Sequence, residues 1–145
     1  MKLLSFNCRG MASPDKKLAL KRLFASEQVD IIFLQETLGS ASVVSSLLSL
    51  WLHGWSFYSL DASGSSGGLS LGICNKTIKT LSVWGGWGFL GADIYSPTLE
   101  SEYKILNVYG PCQDRMAFWR PLLNSSLLLQ DNIIIGGDLN FSLGY

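Results

Sequence analysis

Apolar residues gather in short runs, and a polar residue closes each one. Lys2-Leu3-Leu4-Ser5-Phe6 ends on Asn7-Cys8-Arg9-Gly10, and Val29-Asp30-Ile31-Ile32-Phe33-Leu34 ends on Gln35-Glu36-Thr37. Tyr103-Lys104-Ile105-Leu106-Asn107-Val108-Tyr109 is closed by Gly110-Pro111, and Asn132-Ile133-Ile134-Ile135 by Gly136-Gly137-Asp138-Leu139-Asn140-Phe141. Short β-branched runs bounded by turn residues predict strands. The run from Val29 and the triple isoleucine are apolar at nearly every position, which predicts inner strands covered on both faces. Between the first two runs, Ser13-Pro14-Asp15 is a helix start signal. Leu18, Leu20, Leu23 and Phe24 follow at roughly helical spacing, while Lys16, Lys17, Lys21 and Arg22 fill a solvated face.

Gly39 to Trp51 reads as a second, weakly amphipathic helix. Trp55–Leu60, Leu69–Cys74, Ile78–Trp84 and Phe89–Tyr95 read as consecutive antiparallel strands. Ser63-Gly64-Ser65-Ser66-Gly67-Gly68 lacks the Lys and the following helix of a phosphate-binding loop, so a hairpin loop is expected there. Asp114 opens a third helix that carries Met116, Phe118, Trp119, Leu122 and Leu123 toward a core. Pro121 inside it predicts a kink or break, with a second short helix to Leu129.

Strand, helix, strand with a polar residue at each strand end is the layout of a layered α/β fold, in which ligands collect at strand ends. Asn7, Glu36, Tyr109, Asp138 and Asn140 all stand at such ends. A carboxylate and a carboxamide two residues apart, Asp138 and Asn140, supply the acceptor and the mixed donor/acceptor that hold a water beside a phosphate. Taken alone, the segment reads first as an Asp/Asn turn, Asn7 as a turn residue and Tyr109 as the anchor of a Gly-Pro turn. His53 is the single histidine and lies in an aromatic turn with no flanking partner, which favours a packing or loop role over catalysis.

Composition narrows the field. The 145 residues suit one domain or a piece of one, with 48% apolar and 15% charged residues. Formal charge is zero, so no basic field announces nucleic acid, and phosphate chemistry would depend on local groups or a metal. Cys8, Cys74 and Cys112 are widely spaced and form neither a disulfide framework nor a zinc motif, which fits a reducing compartment. Asn7 and Arg9 interrupt the N-terminal apolar run too early for a signal peptide, and no stretch is apolar enough for a transmembrane span. A nuclear or cytoplasmic location is expected.

The motifs Asn-Cys-Arg-Gly (from Asn7), Leu-Gln-Glu-Thr (from Leu34), Ser-Gly-Gly-Leu (from Ser66), Asn-Val-Tyr-Gly-Pro (from Asn107) and Gly-Gly-Asp-Leu-Asn-Phe (from Gly136) occur in one order, with Arg115 and Phe118-Trp119 between the last two. In this the chain resembles the endonuclease/exonuclease/phosphatase superfamily. The nearest likeness is to the apurinic-type endonuclease domain at the N-terminus of plant LINE (non-LTR) retrotransposon polyproteins. The resemblance implies a two-sheet α/β sandwich and a single partial domain over residues 1–145, incomplete at its C-terminus. It implies a phosphodiesterase dependent on Mg²⁺ (or Mn²⁺), with Glu36 as metal ligand and Asp138 orienting and helping to deprotonate water. Asn7 and Asn140 would hold phosphate and water, and Tyr109 would donate to a phosphoryl oxygen. DNA is the implied partner, within a longer parent protein carrying a reverse-transcriptase region.

The family pattern also ends in a Ser-Asp-His segment and has an upstream Asp paired with that His, neither of which occurs here. Arg9 stands where an acidic residue is common. Little activity is therefore expected of this chain alone. A phosphatase of the same superfamily, acting on a phosphorylated small molecule or lipid, is one alternative. A non-enzymatic remnant of a retrotransposon reading frame is the other.

Overall fold

A computed structural model describes residues 1–63 and 66–141. In chain order the elements are β1 (Leu3–Asn7), α1 (Pro14–Glu27), β2 (Ile31–Gln35), α2 (Ala41–Trp51), β3 (Trp55–Ser63), β4 (Ser66–Cys74), β5 (Lys79–Gly86), β6 (Phe89–Ser96), β7 (Ser101–Tyr109), α3 (Arg115–Leu123), a 3₁₀ turn (Ser126–Leu129) and β8 (Ile133–Asp138). They form two four-stranded sheets, ordered β1-β2-β4-β3 and β5-β6-β7-β8. The expected two-sheet α/β sandwich is the fold observed.

Side-chain alternation along the inner strands builds the three layers of packing. Ile31 and Phe33 of β2, Leu71 and Ile73 of β4, and Leu90, Ala92, Ile94 and Ile105 of β6 and β7 meet between the sheets. The intervening residues of β2, Ile32 and Leu34, face outward onto Leu20 and Phe24 of α1 and Val44 and Leu48 of α2. Leu106 and Val108 of β7 face outward onto Phe118, Trp119 and Leu122 of α3. Each sheet thus has a βαβ unit with a parallel pair, β1-α1-β2 in the first and β7-α3-β8 in the second. The remaining pairings are antiparallel.

Several expectations are corrected. The four β-rich runs after α2 are not one antiparallel series, because β3 and β4 belong to the first sheet and β5 and β6 to the second. The chain changes sheets in the short turn after Cys74, where the Thr77 and Ile78 N–H groups both donate to the Cys74 carbonyl. A strand pattern alone does not reveal such a change. β3 and β4 also run closer to their loop than expected, and the tip of that hairpin, residues 64–65, lies outside the described residues.

The isoleucine run of β8 is not covered on both faces. Among the described residues β8 is an edge strand paired only with β7, and Ile135 keeps 39% of its surface exposed. In α3, Phe118, Trp119 and Leu122 are buried as expected, whereas Met116 (62% exposed) and Leu123 (59%) face solvent because a short helix on one sheet face buries a single stripe. Pro121 does not break α3, which runs two residues further. The interruption falls at Asn124-Ser125, where the Asn124 N–H donates to the Arg120 carbonyl and the Ser125 N–H and hydroxyl both donate to that of Leu122. Leu18 of α1 is exposed, while Leu20 and Phe24 carry that helix's burial. Among the described residues no helix is long and apolar enough to cross a membrane.

Candidate active site

In both βαβ units the parallel strands end on the same side, and the two sets of ends meet across the sandwich. β1 and β2 carry Asn7 and Glu36; β7 and β8 carry Tyr109, Asp138 and Asn140. One side-chain amide joins the halves. Asn7 Nδ2 donates to Glu36 Oε1 at 3.1 Å and to Asp138 Oδ2 at 2.8 Å. Tyr109 donates its hydroxyl to the same Glu36 Oε1 at 3.0 Å. The Asn140 backbone N–H donates to Asp138 Oδ1 at 3.1 Å, and its side-chain Nδ2 donates to the Gly110 carbonyl at 2.5 Å. All five residues named from the sequence are therefore in one hydrogen-bonded cluster, and all five are half-buried.

The backbone around Glu36 is unusual. Arg9, Glu36 and Leu38 have φ of 47°, 51° and 53°, a left-handed conformation that costs an L-residue about 1–2 kcal/mol. Bonds on each side hold it: Cys8 N–H to the Gln35 carbonyl, Gly10 N–H to that of Glu36, and Thr37 N–H to that of Gly68. The kink turns the Glu36 carboxylate out of the strand direction toward Asn7. On the opposite half, Gly137 has φ of 130°, and a Cβ placed there would lie 2.0 Å from the Val108 carbonyl oxygen. Only glycine allows β8 to approach β7 so closely just before Asp138.

Two residues that the sequence reading passed over support the site from inside. Gln35 and Asn107 sit at strand positions of inward parity and are fully buried between the sheets. Gln35 Nε2 donates to Asn107 Oδ1 at 2.7 Å, and Asn107 Nδ2 donates to the carbonyls of Leu34 (3.1 Å) and Ser70 (3.0 Å). This pair clasps the two sheets directly beneath Glu36 and Tyr109. The available signal was an amide within the apolar run for Asn107 and at the end of one for Gln35, which a sequence offers as readily for an exposed position.

Burial raises the Tyr109 hydroxyl to about 12, with the hydrogen bond to Glu36 and the negative charges of Glu36, Cys112 and Asp138 adding to it. Tyr109 is therefore a neutral donor at physiological pH. Burial pushes the Cys8 thiol up to about 12, opposed by Lys16 and reinforced by Glu36, which disfavours the reactive thiolate. His53 lies exposed on the turn after α2, remote in sequence and element from the cluster, in keeping with the loop role expected of it.

The donor set fits a hard divalent cation. Two carboxylates converge on one amide, and among the described residues neither is in an ion pair. No group of three or more His, Cys, Asp or Glu gathers among the described residues. Mg²⁺ needs no such cage, because it binds through one or two carboxylates and keeps several waters.

The fold and this cluster define a class: a two-sheet α/β sandwich with carboxylate, amide and phenol side chains gathered at the strand ends. The family model described as the endonuclease/exonuclease/phosphatase family matches residues 4–145, and the chain belongs to that family. No curated protein matches by sequence. Among solved structures, D. rerio TDP2 complexed with single-strand DNA product matches at a TM-score of 0.75 and 18% identity, over 98% of this chain and 61% of that one. The endonuclease domain of TRAS1, a telomere-specific non-LTR retrotransposon, matches at 0.70 and 13% identity, over 98% and 61%. A mannosyl-6-phosphatase from Bacteroides thetaiotaomicron matches at 0.71 and 13%, over 97% and 65%. At these identities the likeness is one of fold. The chain spans less than two thirds of the length of each.

Proposed function

We propose that this chain is the metal-assisted phosphodiesterase portion of a DNA endonuclease of retrotransposon type. The observation that carries the reading is the double hydrogen bond of Asn7, which brings the carboxylates of Glu36 and Asp138 to one point beside the Tyr109 hydroxyl. Similarity of fold to the TRAS1 endonuclease domain and the order of the sequence motifs support the retrotransposon origin. A reverse-transcriptase region elsewhere in a longer parent protein goes with that origin.

Glu36, with Asp138 beside it, would hold Mg²⁺ or Mn²⁺, which when bound neutralises phosphate charge and polarises the phosphoryl oxygens. Asp138 accepts a hydrogen bond from the attacking water and helps remove its proton as the water oxygen bonds to phosphorus and the ester oxygen departs. Asp138 is held for this by two N–H donors, from Asn7 and Asn140. Asn140 and Asn7 orient water and phosphate, and Tyr109 turns its hydroxyl from Glu36 to a phosphoryl oxygen as charge develops there. A chain of zero net charge offers phosphate little at long range, so DNA affinity should depend on the divalent ion more than on ionic steering.

The test is nicking of supercoiled plasmid and of an abasic-site duplex with Mg²⁺. The chain alone is expected to nick slowly, because the Ser-Asp-His segment of the family pattern does not occur in it, and Glu36→Ala and Asp138→Ala are each expected to abolish that residual rate, a loss of roughly a hundredfold or more. Cleavage that survives both substitutions would defeat the assignment.

A further inference from the structure

Beside the cluster lies a cleft of about 590 Å³ that the roles above leave unused. Tyr109 lines it together with Pro111, Leu60 and the turn that joins β5 to β6, so the cleft shares the Tyr109 side chain with the candidate phosphate site. Its volume is in the range of small-ligand pockets, roughly 300–1,000 Å³. Among its described lining residues there is no Lys or Arg, and the one charged group, Asp61, is engaged by the Ala41 N–H at 2.7 Å at the start of α2. Such a lining does not attract a phosphate. It suits an uncharged, flat group attached to one.

The aromatic wall of the cleft is Trp87, which keeps 68% of its surface exposed. It is nevertheless held firmly. Its ring meets Phe118 edge-on, with centroids 5.4 Å apart and planes at 73°, and Phe118 in turn meets Trp119 at 5.0 Å and 87°. Gly88, next in sequence, has φ of 76°, and a Cβ there would lie 2.7 Å from Phe118 and 3.0 Å from the Tyr109 carbonyl. The Tyr109 N–H donates to the Gly88 carbonyl at 2.8 Å. The turn bearing the indole is thus bonded to the backbone of the residue whose hydroxyl faces the phosphate site. An exposed Trp with a fixed position and a cleft alongside is a stacking platform rather than a loose surface group.

We propose that this cleft is a nucleobase subsite, with Trp87 stacking on the base of the nucleotide whose phosphate lies at Tyr109. The proposal rests on the reading of the neighbouring cluster as a phosphodiester site. A base within a duplex is stacked on both faces and cannot reach the indole, so the nucleotide accepted here is unpaired: single-stranded, at an end or turned out of the helix. Stacking is tolerant of base identity, so the subsite selects for the presence of a base more than for its sequence.

The test labels the chain with 5-fluorotryptophan, assigns the Trp87 resonance by its loss in Trp87→Phe, and titrates with adenosine 5′-monophosphate or ribose 5-phosphate in the presence of Mg²⁺. The Trp87 resonance should move with the nucleotide and not with the sugar phosphate. Trp87→Ala should weaken nucleotide binding about five- to a hundredfold without changing sugar-phosphate binding, while Trp87→Phe retains most of the affinity. The other Trp resonances report whether the variants are folded. Equal responses to the two ligands, no response of Trp87, or unchanged nucleotide affinity in Trp87→Ala would each overturn the subsite. Plasmid nicking that depends on Glu36 but accompanies a silent Trp87 would leave the phosphodiesterase reading standing and remove this one. A responsive Trp87 without Glu36-dependent nicking would remove the phosphodiesterase reading and overturn the subsite as part of it, leaving only a nucleotide-binding cleft.

Discussion

The two βαβ units reach the same rim by different means. In β1-α1-β2 the side chains that matter are aimed by backbone bent against its preference, with Arg9, Glu36 and Leu38 all left-handed and held by a ring of main-chain hydrogen bonds. In β7-α3-β8 the aiming comes from close approach, with Gly137 pressed on the Val108 carbonyl and Asn140 tied back to Asp138 and Gly110. Both units hold a residue of the site in left-handed backbone, Glu36 in the first and Asn140 (φ 48°) in the second, as functional positions often do. The second adds a position where no side chain fits, Gly137. Substitutions at Glu36 and Gly137 should therefore have opposite signs.

The largest effect on stability is expected from Gly137→Ala. A methyl group 2.0 Å from the Val108 oxygen must force β8 away from β7, at a cost of roughly 3 kcal/mol, and Asp138 moves with it. Urea unfolding should show the loss. Nicking should fall as far as in Asp138→Ala, and an unchanged midpoint would mean that the close approach is not what positions Asp138.

Asn107→Leu comes next. It leaves Gln35 Nε2 without its buried acceptor and removes the bonds to Leu34 and Ser70, which should cost about 1–3 kcal/mol. Replacing both amides, Gln35→Leu with Asn107→Leu, should cost clearly less than the sum of the single changes. Strict additivity in a double-mutant cycle would show that the clasp contributes nothing as a pair.

Glu36→Gly should have the opposite sign to the glycine substitution in the other unit. Relief of the left-handed conformation, worth about 1–2 kcal/mol, is partly offset by the entropy of glycine, so stability should rise by up to about 1 kcal/mol while nicking is lost. A marked fall in stability would indicate that the Glu36 hydrogen bonds outweigh its backbone strain.

The smallest effect concerns Asp93 on β6, opposite Lys104 on β7. Burial acts to raise its carboxyl, but hydrogen bonds from Lys104, Ser82 and Trp84 and the Lys104 charge outweigh it and hold the group below 3.8. The sign follows from linkage: a depressed folded value stabilises the protein above the unfolded value and is lost as pH falls through the folded one. Stability should drop as pH falls below about 4, and Lys104→Met should flatten that part of the profile. Both partners keep about a quarter of their side-chain surface in water, where solvent screens the pair, so the change is small.

What the sequence disclosed follows the same division. Asn7, Glu36, Tyr109, Asp138 and Asn140 stand out because each breaks an apolar run at its end, but an ordinary turn explains that equally; it was the order of the motifs, shared with the endonuclease/exonuclease/phosphatase family, that made them site candidates. The sheet change after Cys74 was hidden, since period-two alternation identifies a strand but not its sheet. Ile135 was misjudged for a related reason: β-branched runs record strand propensity, whereas exposure depends on which neighbours the strand acquires. Gln35 and Asn107 were missed because their function is defined only across the sandwich, by a partner 72 positions away.

The amide of Asn7 that joins the two carboxylates also fixes when the site comes into being. Asn7 and Asp138 are 131 positions apart, nearly the full span of the described chain. During synthesis the first unit can form while the second is still on the ribosome, yet Glu36 then has neither its carboxylate neighbour nor the tyrosine. A growing polypeptide therefore carries the Glu36 half of the cluster without its partner, and the cluster closes only once Asp138 has emerged.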